Sequence, residues 1–343
     1  MDIVVFDENC HLSIWEDFVA SQSQASNYHQ VGWKTVIKRS FGHETRYLLA
    51  MEGGEVVGLL PLAIMKSRLF GRSVVSLPFL NYGGLLANSV QAEELLVSAA
   101  SKLAIEEGAQ SVELRHWNAH GLGLTPKQHK VTMLLPLASD VDMQWKHLDA
   151  KVRNQIRKAG KSGLTVQVGG KELLSDFYAM FARNMRDLGT PVYGRVFFET
   201  ILDVFPLHTS IFVVKYRETP IAAGLSTIFN ETMEVPWAGS LIEHRSLCPN
   251  MLLYWEAIQF GIQQGMKTFD FGRSTPGEGT YKFKAQWGAK PHPLVWEYWT
   301  KDGTPIPNIS PTNSKFALAI KLWKKLPLPV ANLLGPPIVR AIP

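Results

Sequence analysis

Several groups of residues have the types and the spacing for chemistry. Arg153, Arg157 and Lys161 recur at i, i+4 and i+8, so a helix would line them along one face. Such a row suits a diphosphate or a phosphate backbone; a solvated helix face has the same pattern. Asp270 and Arg273 close the apolar segment MKTFDFGR, at a strand end of the kind where α/β sheets place ligands. Asp270 either accepts a proton or holds Arg273 or a loop amide. Glu113 and Arg115 take the same places earlier in the chain. Lys282 and Lys284 lie in GTYKFKAQWGA, just after the loop STPGEG. Read as a strand, YKFK sends both lysines to one face and Tyr281 and Phe283 to the other. Asn81 and Tyr82 precede Gly83-Gly84, a tight turn where backbone approaches a ligand or a neighbouring segment closely. Trp237 holds the equivalent place in the second half. His43, His116 and His120 are candidate bases on titration grounds.

Other chemistries lose support. No G-x-S-x-G elbow is present, and Cys10 and Cys248 lack nucleophile signatures. Two cysteines make neither a disulfide framework nor a Cys-rich metal cluster, and no His/Cys/Asp group has metal-ligand spacing. The Gly-Lys-Ser at 160–162 is not a phosphate-binding P-loop: that motif needs glycine at position 155, which is Gln155.

The elements that must position these residues form an internal repeat. In the first copy, RYLLAMEGGEVVGLLPLAI (46–64) reads as strand, Gly-Gly turn and strand. A strand over 73–86 closes on Gly83-Gly84, a helix covers 92–108, and a short strand covers 109–115. In the second, strands are expected over 210–229 and 232–241, a helix over 250–265 and a short strand over 266–273. Gly108 through Leu114 aligns without a gap to Gly265 through Phe271. The chain therefore reads as two α/β halves with mixed sheets: 1–145, 146–300, and a tail over 301–343. The second half opens with the basic helix 151–161 and continues with two helices over 171–205, split at Thr190-Pro191. Residues 301–313 read as a Pro-rich linker. SKFALAIKLWKKL is an amphipathic helix with Phe316, Ile320 and Trp323 on one side and Lys321, Lys324 and Lys325 on the other. The last residues, rich in proline, are expected not to form a long helix.

The 343 residues are 46% hydrophobic with a net charge of +5, which excludes wholesale disorder. No run long enough to span a membrane and no basic secretory leader is evident, so a cytoplasmic protein is expected. From Gly303 onward there is no acid, against five basic residues. Basic surfaces point to anionic partners. The basic amphipathic helix over 314–326 has the pattern of a peripheral contact with an anionic inner-membrane face.

Three segments together resemble the FemAB-like branch of the GNAT acyltransferase superfamily: KVRNQIRKAGKSGLTV (151–166), the Asp270–Arg273 strand end, and GTYKFKAQWGA (279–289), which looks like G-x-Y-x-F-K-x-x-[FW]-G. YHQVGWKTVIKRSFGHETRYLLA and FGRSVVSLPFLNYGG look closest to the FemAB-like proteins of exopolysaccharide and PEP-CTERM export systems. The resemblance implies tandem duplicated GNAT-like domains, in agreement with the repeat. It implies transfer of an aminoacyl or acyl group to a cell-envelope or exopolysaccharide precursor by direct attack in a ternary complex. Peptidoglycan precursors are the acceptors of characterised Fem enzymes. Lys284 matches the family's F-K lysine and would stabilise developing negative charge. Arg153, Arg157, Lys161, Asn81, Tyr82, Trp237, Arg273, Tyr281 and Lys282 would bind substrate, with Asp270 or a substrate group taking the proton. The donor would be aminoacyl-tRNA or acyl-CoA, with no permanent cofactor. The acceptor would be a phosphorylated, nucleotide- or lipid-linked sugar, and tRNA is a further partner. Residues 157–163 partly match the coenzyme-A loop pattern, with Ser162 in place of the final Gly or Ala. This leaves an acyl-CoA N-acyltransferase on an amino sugar as the alternative, and a non-catalytic scaffold of an export system as a third.

Overall fold

A computed structural model describes residues 1–67, 70–303, 306 and 314–342. The chain divides into two compact units. The first comprises 1–129, 293–313 and 340–343, the second 130–292 and 314–339.

The first unit opens with β1 (Asp2–Val5), α1 (Glu8–Ser21) and α2 (Gly32–Phe41). β2 (Glu44–Glu52), β3 (Glu55–Ser67), β4 (Gly71–Val75) and β5 (Leu86–Ala87) follow, then α3 (Val90–Glu106) and β6 (Ser111–His116). β7 (Thr125–Pro136) enters the second unit at Lys130. There the order is α4 (Val141–His147), α5 (Ala150–Lys161), β8 (Leu164–Gly169), α6 (Leu174–Leu188), α7 (Arg195–Val204), β9 (Thr209–Tyr216), β10 (Thr219–Phe229), β11 (Thr232–Ser240), α8 (Pro249–Gln263), β12 (Thr268–Ser274) and α9 (Gly279–Ala285). β13 (Lys290–Thr300) returns to the first unit at Pro293, and α10 (Ser314–Trp323) and α11 (Leu328–Arg340) end the chain.

The repeat is longer than its sequence signal. β1-α1-α2-β2-β3-β4-α3-β6 matches β8-α6-α7-β9-β10-β11-α8-β12 element for element. In the first unit the strand order is β1-β2-β3-β4-β6-β13, with β5 on β3; in the second it is β7-β12-β11-β10-β9-β8. Each order contains one parallel pair, β4 with β6 and β11 with β12. A parallel pair needs a crossover, and a helix supplies it each time: α3 in one, α8 in the other. Ser89 caps α3 by accepting the Ala92 N–H. α3 buries Ala92, Leu96, Ala100 and Ala104, at i, i+4 spacing, and the three alanines let the helix lie close on the sheet. α8 has Pro249 at its first turn, where a missing N–H costs no helical bond. It buries apolar residues almost all round, among them Leu253, Ala257 and Ile258, within the main core of the second unit.

Four expectations need correction. YKFK is not a strand: residues 279–285 form α9. Four alternating residues are too few to separate the two periods, and burial of Lys284 and Trp287 three apart is the helical spacing. The strand expected over 73–86 stops at Val75. Leu77 and Phe79 have positive φ, which no strand accommodates. The proline-rich end does form a helix, α11, with Pro336 and Pro337 inside it. Gly335 precedes them, and its missing Cβ lets the helix press against the Val192 backbone, 2.9 Å from where a Cβ would stand. Packing thus offsets the lost backbone bonds. Lys324 does not fall on the side opposite Ile320: its stem and Ile320 both lie at Gly189. The expected linker over 301–313 lies mostly outside the described residues.

Candidate functional site

In the second unit the parallel ladder of β11 and β12 is three residue pairs long: Thr232 with Thr268, Met233 with Phe269, Glu234 with Asp270. After that pair the strands part. β12 also loses register against β7 between Asp270 and Arg273, and Gly272 within that bulge has φ +74°. A parting of parallel strands leaves backbone groups that another chain or a ligand must satisfy.

Buried charge collects at this point. Asp270 is fully buried, Glu234 is 3% exposed and Lys284 is 7% exposed. Asp270 Oδ1 accepts from Thr132 Oγ1 and, at 2.7 Å, from the Gly272 N–H. Of the two roles read for Asp270, holding a loop amide is therefore realised in the structure. Lys284 Nζ reaches across from α9 and donates to the carbonyls of Gly272 at 2.9 Å and Arg273 at 3.0 Å. Burial lowers the Lys284 pKa to about 8, against the opposing pull of Asp270 and Glu234 and with a further lowering by Arg273. The amine can thus change charge near neutral pH. Ser274 Oγ and Trp287 Nε1 are buried without a hydrogen-bond partner, so each has hydrogen-bonding capacity left for a ligand. Trp287 lies against Phe271, Phe283 and Tyr254. Sequence reasoning missed Glu234, Thr132, Ser274 and Trp287. Trp287 was legible in the WG of the quoted motif; the other three carry no local signal.

The remaining expected residues are scattered. Arg153 donates to the Lys146 carbonyl at 3.3 Å, and Arg157 sits 5.3 Å from the centre of the Trp145 ring. Both therefore lean toward α4. Lys161 ends α5 and is exposed. Lys282 is exposed and Tyr281 half-buried against the core. Trp237 is buried edge-on against Phe197 and Phe198 of α7. The coenzyme-A-like segment 157–163 runs through the last turn of α5. Its amides are consumed in helical bonding, so it does not have the free N–H groups a diphosphate cradle needs.

Asn81 and Tyr82 belong to the first unit, together with Glu113, Arg115 and His116. Its parallel ladder is also three pairs long, ending at Val75 with Glu113. Here the chain itself fills the parting. Arg115 N–H donates to Ser76 Oγ at 2.7 Å, Arg115 Nη1 to the Leu80 carbonyl at 2.9 Å, and Gly83 N–H to the Arg115 carbonyl at 3.0 Å. Arg115 also pairs with Glu113 at 2.7 Å. A Cβ on Gly84 would stand 1.9 Å from His116 Cδ2, so the glycine serves packing. His116 Nδ1 meets Glu297 at 2.8 Å, and His120 Nδ1 meets Glu93 at 2.8 Å. His43 bonds the Arg340 carbonyl. Among the described residues no group of His, Cys, Asp and Glu has the arrangement of a metal site.

Residues 146–285 match the acetyltransferase (GNAT) domain family. Among curated proteins, no sequence matches the chain. Among solved structures, FemX aligns over 86% of this chain and 97% of its own, with a TM-score of 0.69 at 16% identity. A tandem GNAT protein from the clavulanic acid biosynthesis pathway aligns over 89% and 99%, with a TM-score of 0.58 at 13% identity. The C-terminal domain of a putative lysylphosphatidylglycerol synthetase from Agrobacterium fabrum aligns over 87% and 93%, with a TM-score of 0.56 at 11% identity. Residues 146–285 thus match the acetyltransferase (GNAT) domain family, in a chain whose fold is similar to those of FemX and of the tandem GNAT protein.

Proposed function

We propose that the second unit transfers an aminoacyl or acyl group to an amine or hydroxyl of a cell-envelope or exopolysaccharide precursor, by direct attack in a ternary complex. The observation that carries this reading is the parting of β11 and β12 directly after Glu234 and Asp270, with the buried Lys284 amine beside it. The first unit has the same parting, with residues 76–84 bonded to Arg115 beside it, so the reading takes the second unit as the one that receives substrate.

A bound donor, aminoacyl-tRNA or acyl-CoA, supplies an activated carbonyl carbon. The chain does the rest. Lys284, as a cation in a site with little water, stabilises negative charge on the carbonyl oxygen as it develops. Asp270 and Thr132 hold the Gly272 bulge, which keeps the Lys284 amine in place. Asp270 or a group of the substrate takes the acceptor's proton. Ser274 Oγ and Trp287 Nε1 offer hydrogen bonds to the substrate. The basic face of α5, with Arg153, Arg157 and Lys161, binds substrate phosphates. The reaction belongs in the cytoplasm, where both donor classes are made.

The sequence match to an acetyltransferase domain favours a second reading, an acyl-CoA N-acyltransferase acting on an amino sugar. Thermal-shift measurements on the purified chain with acetyl-CoA, charged tRNA and UDP-linked amino sugars separate the two, because ligands of the native state raise the midpoint. A shift with charged tRNA or a UDP-sugar, but none with coenzyme A, supports the Fem-like reading. A shift with acetyl-CoA supports the second. No shift with any of them overturns both.

A further inference from the structure

The C-terminal helices present a surface that acyl transfer does not use. α10 and α11 both dock on the second unit around residues 186–194. Ile320 packs on Gly189, the Leu326 carbonyl accepts from Arg186 Nη1, and Gly335 packs on Val192. The buried stripe of α11 is Ala331, Gly335 and Val339, the i, i+4, i+8 row of one helix face. The opposite sides carry leucines where a soluble surface would carry polar residues. Leu318 is 67% exposed, Leu322 58% and Leu333 75%, and Val330, Leu334 and Ile338 are exposed along one flank of α11. Eighteen large apolar residues are exposed among the described residues, and these six fall within 318–338. Such concentration marks an interaction surface, since single exposed leucines scattered over a protein need no explanation.

The charge around this surface says what it meets. The chain has 35 Lys and Arg against 30 Asp and Glu. Lys315, Lys321, Lys324, Lys325 and Arg340 all follow Gly303, and no acid does, so this tail holds the whole excess of +5. At 3.6 residues per turn, Lys321 falls on the same outward side of α10 as Leu318 and Leu322, and Lys325 is exposed in the turn that follows the helix. An apolar strip flanked by lysines and free of acids is the complement of a bilayer surface with anionic headgroups.

We propose that α10 and α11 form a peripheral membrane-binding surface that seats Leu318, Leu322 and Leu333 in the headgroup region of an anionic lipid bilayer. The membrane side is therefore the outward one, and Ile320 is turned inward to hold the helix to its own domain. No described helix is long and apolar enough to cross a membrane, so the contact is one of surface adsorption. The proposal stands independently of the reaction the second unit performs.

Sedimentation of the full chain with phosphatidylcholine vesicles, with and without phosphatidylglycerol, tests it. Binding is expected only with phosphatidylglycerol, and it should weaken as salt screens the lysines. The Leu318→Glu/Leu322→Glu/Leu333→Glu variant changes exposed side chains and should keep the wild-type melting temperature while losing binding at least about tenfold. If that variant fails to fold, Lys321→Glu/Lys325→Glu serves in its place, with the same expected loss. Equal binding by the variants, or no binding to either vesicle, overturns the proposal. So does a concentration-dependent dimer in solution that the leucine substitutions dissolve, which would assign the surface to a second copy of the chain.

Discussion

Lys284 Nζ donates to the Gly272 carbonyl at 2.9 Å, from a helix to a bulged strand. The same glycine gives its N–H to Asp270 Oδ1 at 2.7 Å. One peptide bulge is thus held from both sides by side chains of opposite charge, at the place where two parallel strands part. An amine so placed holds the bulge and puts charge at the end of the ladder.

Replacing Lys284 separates these roles. Lys284→Met keeps the length of the side chain and removes the amine. Turnover should fall at least about a hundredfold, the scale of losing one electrostatic stabiliser of a transition state. The fold should persist, as read by circular dichroism. A variant with wild-type turnover would remove Lys284 from the chemistry.

The same substitution has a pH signature. Lys284 has a folded pKa of about 8 against an ordinary value of 10.5. The unfolded chain therefore binds the extra proton between these values, and stability rises with pH across that window. The penalty for burying the cation is complete below about pH 8 and gone above 10.5. Wild type should gain on Lys284→Met by about 3 kcal/mol over this range. Paired urea unfolding at the two ends measures it, and a constant difference would contradict the shift.

Thr132→Val removes a donor to Asp270 Oδ1 within the buried cluster. Loss of a hydrogen bond to a buried carboxylate should cost about 1–3 kcal/mol. Turnover should fall as well, because the Gly272 bulge is less firmly held. Thr132→Ser, which restores the hydroxyl, should recover most of both.

His29, in the first unit, is buried and neutral. Its Nδ1 accepts the Ser26 N–H, so its Nε2 donates to the Gly84 carbonyl. Burial lowers its pKa from 6.5 to about 4. Below 6.5 the unfolded chain protonates while the folded one resists, so stability is lost as pH falls from 6.5 to about 4. His29→Gln should flatten that limb of the stability profile. An identical acid limb in the variant would place the titration elsewhere.

Gly84→Ala should destabilise the first unit by about 2 kcal/mol or more, since the new methyl overlaps the buried His116 ring. Chemical denaturation checks it. A near-neutral effect would mean that the 76–84 loop yields easily.

The two copies were legible because strand alternation and helix period are local properties of the chain. Gly108 and Gly265 mark equivalent helix ends, and Glu113 and Asp270 equivalent strand positions. Lys284 and Asp270 stood out by the company they keep in sequence. Their surroundings did not. That Lys284 lies on a helix was hidden, because YKFK alternates over too few residues to decide a period. Glu234, Thr132 and Ser274 are unremarkable where they stand, and they become part of a site only when β7, β11 and β12 are laid side by side.

By itself, the sequence determined the duplicated α/β plan, the basic acid-free tail and the strand-end carboxylates, since each depends on residues near one another along the chain. The tertiary structure alone decided which groups meet the end of each ladder. Val75 with Glu113 and Glu234 with Asp270 end equivalent ladders. In one copy Ser76, Leu80 and Gly83 satisfy Arg115 and its backbone; in the other a lysine from α9 meets the bulge. That difference depends on which distant groups meet buried backbone, and unsatisfied buried backbone is too costly for the fold to leave the choice to local propensity.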